Sequence, residues 1–114
     1  MAQRAVRRAA IEMKLVLSEL PAFDSRGIER WSKALDAARE RLKGEASMAD
    51  ADATSVKESL GAFDKAYANL RYHLAMASMD MVLRNFMRAS DINNVDDGRM
   101  AALREITAVL EVCD

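Results

Sequence analysis

The fold is decided by residues 56–81, VKESLGAFDKAYANLRYHLAMASMDM. Apolar residues recur here at alternating spacings of four and three, and residues three and four apart share one face of a helix. Neither proline nor glycine occurs between Ala62 and Asp97 to interrupt the pattern. We call the repeating set the core seam; its members are Val56, Leu60, Phe63, Tyr67, Leu70, Leu74, Ala77 and Met81. This spacing is typical of helices that pack side by side.

The composition of the whole chain favours an all-α fold. Hydrophobic residues make up 51% and charged residues 31% of the 114 residues, a balance typical of a globular domain. Alanine, leucine, methionine, arginine and glutamate are abundant, and these residues lose little side-chain freedom in a helix. One proline and four glycines are too few for the many turns of an all-β fold. We therefore predict a single helical domain over residues 1–114, a four-helix bundle with a long third helix.

Start and stop signals place the first two helices. The first is predicted over 2–20, because Pro21 cannot continue a helix and disfavours helical backbone in the residue before it. Asp24 or Ser25 can cap the second helix by accepting hydrogen bonds from free amides of its first turn. Gly44 is predicted to end the second helix, since glycine readily adopts the left-handed conformation that terminates many helices.

The third helix is predicted to be longer than the others. It follows a linker over 45–53 and runs from about Ser55 to Ala89, on the order of 50 Å at about 1.5 Å per residue. The other three helices would each be on the order of 30 Å long. A turn at Asn93 and Asn94 then precedes the fourth helix. Either the long helix bends, or part of it projects beyond its own bundle and needs a partner.

The second half of the long helix carries a second apolar stripe beside the core seam. Methionine is frequent there, and its flexible thioether suits both core filling and adaptable binding surfaces. Apolar surface left in water would invite association, with self-association as the simplest case. We therefore predict that a partner protein, or a second copy in a homo-oligomer such as a dimer, binds at Met76, Met79, Leu83, Phe86 and Met87. The competing interpretation is that these residues are ordinary core.

A basic side of the first helix offers an alternative function. Phosphate contacts by Arg4, Arg7, Arg8 and Lys14 would make the protein a small nucleic-acid-binding regulator. Aromatic residues that would stack on bases do not interleave with these four, and the formal net charge of -1 gives no general attraction to polyanions. A solvated helix face is therefore the default interpretation, and nucleic acid is the weaker prediction.

The sequence contains no recognisable catalytic, metal or cofactor site. His73 is the only histidine and Cys113 the only cysteine, whereas zinc sites take several such ligands. A di-iron bundle takes Glu-x-x-His motifs on two helices, and the chain has none. The four scattered glycines form no phosphate-binding loop, and no nucleophile–base pair can be assembled. We predict a non-enzymatic protein without cofactor or metal, in which His73 is an ordinary helix residue.

The location of the protein is predicted from three features. A single cysteine allows no intrachain disulfide, so nothing points to an oxidising compartment. No run of about twenty apolar residues is present that would span a membrane. Glu12 and Lys14 interrupt the apolar segment that follows the first arginines, where a secretory signal needs an unbroken one. We predict a cytoplasmic protein.

Overall fold

The computed structural model describes residues 2–48 and 54–113, which form four helices and no strand. The helices are α1 (Ala2–Ser18), α2 (Ser25–Met48), α3 (Thr54–Arg84) and α4 (Ala89–Val112). Each helix packs on its two neighbours around the bundle, most extensively α3 on α4 and least extensively α2 on α3. The predicted all-α four-helix bundle is confirmed.

The core confirms the predicted seams. All of the core seam is buried except Leu60 and Met81, which are partly buried and pack against the core. Leu70 is completely buried at the middle of α3. Trp31 of α2 is buried, and its indole Nε1 donates a hydrogen bond to the Val16 carbonyl oxygen 3.0 Å away. This bond satisfies the polar atom of the tryptophan and joins α2 to α1.

The long third helix is confirmed as one continuous helix of 31 residues, against 24 in α2, 24 in α4 and 17 in α1. At about 1.5 Å per residue, α3 exceeds α2 and α4 by about 10 Å and α1 by about 20 Å. The mismatch is therefore smaller than predicted, because α2 and α4 are longer than expected and α3 is shorter.

The connection between α3 and α4 lies earlier than predicted. α3 ends at Arg84 and α4 begins at Ala89, so the predicted turn at Asn93 and Asn94 is wrong, and both residues lie inside α4. Asn85 follows α3 with a φ of 65°. This is a left-handed conformation that asparagine tolerates better than most residues, and it terminates the helix.

The end of α2 also differs from the prediction. The helix continues through Gly44 to Met48, so the predicted glycine stop is wrong. Gly44 has no positive φ and keeps helical backbone at a modest entropic cost. Residues 45–48 of the predicted linker are therefore helical, and residues 49–53 lie outside the described part of the chain.

The loop between α1 and α2 follows the predicted signals. α1 ends at Ser18, three residues before Pro21. Asp24 is the cap of α2, because its Oδ1 accepts a hydrogen bond from the Gly27 amide at 2.7 Å. The predicted alternative cap, Ser25, is the first helical residue instead.

Two glycines allow backbone segments to approach closely. A Cβ on Gly27 would lie 2.3 Å from the Ala22 carbonyl oxygen, which is closer than van der Waals contact permits. A Cβ on Gly98 of α4 would lie 3.2 Å from the Cα of Leu70 on α3. Gly27 thus seats the start of α2 against the preceding loop, and Gly98 seats α4 against the middle of α3.

Gly27→Ala is expected to destabilise the protein, because the added carbon would overlap the Ala22 carbonyl group and force the backbone to shift. Overpacking of this kind typically costs about 1–3 kcal/mol. The matched control is Gly44→Ala, where no described atom lies within 4 Å of the new Cβ. The control should gain about 0.5–1 kcal/mol from helix propensity. Urea unfolding measures both changes, and an unchanged Gly27→Ala variant would contradict the close approach.

Candidate functional site

The outer side of α3 carries an exposed apolar surface. Of the ten large hydrophobic residues exposed in the described part of the chain, five lie on α3 or directly after it. Their exposed fractions range from 54% for Met79 to 79% for Val82. These five residues are Tyr72, Met79, Val82, Leu83 and Phe86. The core seam occupies the opposite side of the same helix, so α3 is apolar on two sides.

The residues predicted to bind a partner divide between this surface and the core. Met79, Leu83 and Phe86 are exposed, and Met76 is partly buried beside them. Met87 is buried, with 9% of its surface exposed, and packs in the core. The structure therefore brings Met76, Met79 and Leu83 together on one side of α3, whereas Phe86 is exposed in the turn after the helix and Met87 is buried.

Charge is missing from this surface over two helical turns. No Lys, Arg, Asp or Glu occurs from Tyr72 to Met79. The nearest acidic side chains belong to other sides of α3: Asp64 pairs with Arg39 of α2 at 2.8 Å, and Asp80 is buried. A solvated helix face normally carries charged residues. Exposed apolar surface with a polar rim is typical of sites that bind another macromolecule.

The same side of α3 carries a regular pattern that the sequence analysis missed. Seven exposed residues of α3 recur at alternating spacings of four and three, with smaller and larger side chains in alternation as far as Met79. We call this set the outer seam; it consists of Gly61, Lys65, Ala68, Tyr72, Ala75, Met79 and Val82. A seven-residue period in the small residues is the signal that would have revealed it. Alanine and glycine contribute little to an apolar stripe, so the core seam dominated the pattern.

The boundary between α2 and α3 is held by polar contacts. Tyr67 Oη donates a hydrogen bond to Asp36 Oδ1 at 2.9 Å, and Arg71 Nη2 lies 3.4 Å from Asp36 Oδ2. Burial and the bond to Asp36 raise the pKa of Tyr67 above its ordinary value. Above these contacts lies an open groove of about 390 Å³, which Ile28, Arg71 and Met87 help to line. These polar contacts and the open groove lie at the least extensive helix pair of the bundle.

The groove has an unusual feature in Arg71. Among the described residues, one buried side-chain nitrogen has no hydrogen-bond partner, and it is Nη1 of Arg71. The described lining of the groove contains neither histidine nor cysteine. Activation of a serine nucleophile commonly requires an adjacent imidazole base. The lining of the groove provides no such base for the hydroxyls of Ser25, Ser32 and Ser78.

The basic residues of α1 do not form one surface. Arg4 and Arg8 are exposed, whereas Arg7 and Lys14 are partly buried. Arg7 Nη1 donates a hydrogen bond to the Leu110 carbonyl oxygen of α4 at 3.3 Å. Arg7 is therefore engaged within the bundle, and only Arg4 and Arg8 face outward. Binding of nucleic acid through the four basic residues stays a prediction that no contact described here favours.

His73 and Cys113 lie far apart in sequence and have different surroundings. His73 is partly buried, with its ring edge-to-face with Tyr72 at a centroid distance of 5.4 Å. Cys113 is buried after the end of α4. Within residues 2–48 and 54–113, no three His, Cys, Asp or Glu side chains converge in a way that would hold a metal ion. In the same ranges, no helix combines the length and apolarity needed to cross a bilayer.

A buried acidic cluster fastens the turn between α3 and α4. Asp80 and Asp91 are the buried charged residues of the described chain. Arg88 joins them: its Nε donates to Asp80 Oδ2 and its backbone amide donates to Asp91 Oδ2, both at 2.9 Å. The neighbouring side chain of Asp91, and then the hydrogen bond and charge of Arg88 and the charge of Arg84, hold the pKa of Asp80 below its ordinary value. The cluster fixes where α3 ends and α4 begins.

Asp80→Asn is expected to destabilise the protein at pH 7, because the variant loses the ion pair with Arg88. Since the folded-state pKa of Asp80 is lowered, its contribution is present above the unfolded-state pKa of about 3.9 and is lost as pH falls through the folded-state pKa. The stability difference between wild type and variant should therefore shrink below about pH 4. Chemical denaturation at pH 7 and pH 3 measures it.

Asp97→Asn is the matched control for this pH dependence. Asp97 is an exposed residue of α4, and its substitution should change the unfolding free energy by less than about 0.5 kcal/mol at either pH. A difference for Asp80→Asn that stays constant from pH 7 to pH 3 would contradict the role of the carboxylate.

The chain matches no protein-family model, and comparisons with curated proteins and with solved structures give no match either. Helical bundles of this size carry many unrelated functions, so the fold by itself indicates none.

Proposed function

We propose that the protein is a non-enzymatic interaction module that binds a partner protein through the outer side of α3. The observation that carries this proposal is the exposed, uncharged apolar surface around Tyr72, Met79 and Leu83. Tyrosine, phenylalanine and methionine are enriched where proteins bind one another, because they bury much surface with few polar groups. Cytoplasmic location, predicted from the sequence, belongs to the same proposal.

The bundle does not need this surface for its own core. The core seam of α3 already faces the interior of the bundle, and its central residues Phe63 and Leu70 are completely buried. Apolar surface on the outer side therefore contributes little to folding, while each Å² of it gains about 25 cal/mol when a partner covers it. A partner that presents an apolar helix fits best, since the surface runs along one continuous helix.

A photo-crosslinking residue tests this proposal. With p-benzoylphenylalanine at position Met79, ultraviolet irradiation in the cells that produce the protein should yield a covalent adduct of higher mass. The matched control places the same residue at Glu40, an exposed position of α2, where we expect no adduct. An adduct at Met79 supports the proposal whether the captured protein is another chain or a second copy.

The variant Leu83→Asp provides the second arm of this test. Leu83 is 73% exposed, so the variant should keep its helical circular-dichroism spectrum, yet a buried carboxylate at an interface costs several kcal/mol. The adduct at Met79 should therefore disappear in this background. The proposed function would be contradicted if the crosslinking residue, placed in turn at Tyr72, Met79 and Leu83 of the otherwise wild-type protein, gave no adduct at any of these positions.

A further inference from the structure

The outer seam alternates between smaller and larger side chains along α3. Its positions follow the four-three spacing of a heptad repeat, and all of them are exposed. One heptad position carries the smaller side chains, Gly61, Ala68 and Ala75, followed by Val82 in the last heptad of the helix. The other position carries the larger side chains of Lys65, Tyr72 and Met79. Alternation of large and small residues allows two facing helices to interdigitate in layers.

We infer that the partner on this surface is a second copy of the chain, packed antiparallel about a twofold axis that passes between His73 and Leu74. The inference rests on the proposed function and names its partner. A twofold interface must be self-complementary, because the same residues face each other in reverse order. The axis sets Lys65 opposite Val82, Ala68 opposite Met79, and Tyr72 opposite Ala75. Each alanine then faces a large residue of the other copy, and Val82 faces the longer side chain of Lys65.

A parallel pair lacks this complementarity. Parallel helices place identical heptad positions in the same layer. Lys65 would then face Lys65 of the other copy, and the two positive charges would repel each other. Two Tyr72 rings would share one layer, while the Ala68 and Ala75 layers would leave voids without dispersion contacts. The size alternation therefore selects the antiparallel arrangement.

The surroundings of the outer seam also suit burial. On the side toward α2, Asp64 pairs with Arg39 at 2.8 Å, and Arg71 Nη2 lies 3.4 Å from Asp36 Oδ2. Contact along this edge therefore leaves the carboxylate of Asp64 paired. The charged seam residue Lys65 can lay its aliphatic stem against Val82 and keep its ammonium group in water. On the opposite flank, the apolar side chains of Met76 and Leu83 widen the contact.

Disulfide cross-linking tests the register directly. Two single-cysteine proteins, Ala68→Cys and Met79→Cys, are prepared in a Cys113→Ala background, and one carries an extra tag to change its mass. Mixed and oxidised, they should form a covalent heterodimer, because the axis sets these positions opposite each other. Either protein alone should form no covalent dimer. The cysteines of its two copies would lie about 16 Å apart along the helices, whereas a disulfide needs Cα atoms within about 7 Å.

The control mixture combines Ala68→Cys with Ala37→Cys, an exposed alanine of α2. The test mixture should give at least about tenfold more covalent dimer than this control or than either protein alone. Efficient cross-linking of Ala68→Cys alone would show a parallel pair and overturn the inference. If the mixture gives no dimer while a different protein is captured at Met79, the inference fails and the proposed function stands. If neither the covalent dimer nor an adduct at Met79 forms, the inference and the proposed function both fail.

Discussion

The close packing of α3 on α4 determines which side of α3 meets water. Gly98 lets the backbone of α4 approach Leu70 of α3 closely, and the Asp80–Arg88–Asp91 cluster fixes the turn between the two helices. With Leu70 directed at Gly98, the core seam faces inward along the whole of α3. The outer seam then has no position other than the outside of the bundle. Both seams are thus consequences of one helix–helix contact.

A helix with two apolar sides has a specific consequence for a small bundle. The rest of the bundle covers one side of α3, and burial of Phe63, Leu70 and Ala77 there is complete. The other side has the same four-three spacing but no helix of this chain in front of it. In the proposed account this second side binds a partner, and the alternation of small and large residues makes a second copy the matching one. Folding and association therefore use opposite sides of α3 and can be changed separately by substitution.

The sequence was informative where a pattern extends over many residues. The core seam, the buried Trp31 and the long third helix follow from periodicity, since a displaced register would expose the whole seam. The position of the turn after α3 does not follow from periodicity, because it depends on the left-handed backbone of Asn85. Asn93 and Asn94 give the same sequence signal for a turn. The helix end predicted at Gly44 is wrong for a related reason, because glycine permits a helix to end but does not require it.

The same turn explains what was predicted of the surface and what was missed. Helical spacing groups Met79 with Leu83 and Phe86; Met79 and Leu83 lie on one exposed side of α3, and Phe86 is exposed in the turn after it. Met87 was grouped with them on the assumption that α3 continues to Ala89; the turn instead directs it into the core. The small members of the outer seam have little hydrophobicity, so no apolar stripe revealed them, and only their exposure in the folded chain shows that they belong together.

The molar mass of the protein in solution tests the central claim most directly. Light scattering over a dilution series should give twice the chain mass of 12.7 kDa at high concentration and fall toward the chain mass on dilution. The helical circular-dichroism signal should stay constant across this series, because the core does not depend on the outer side of α3. A mass of 12.7 kDa at every concentration would contradict the account.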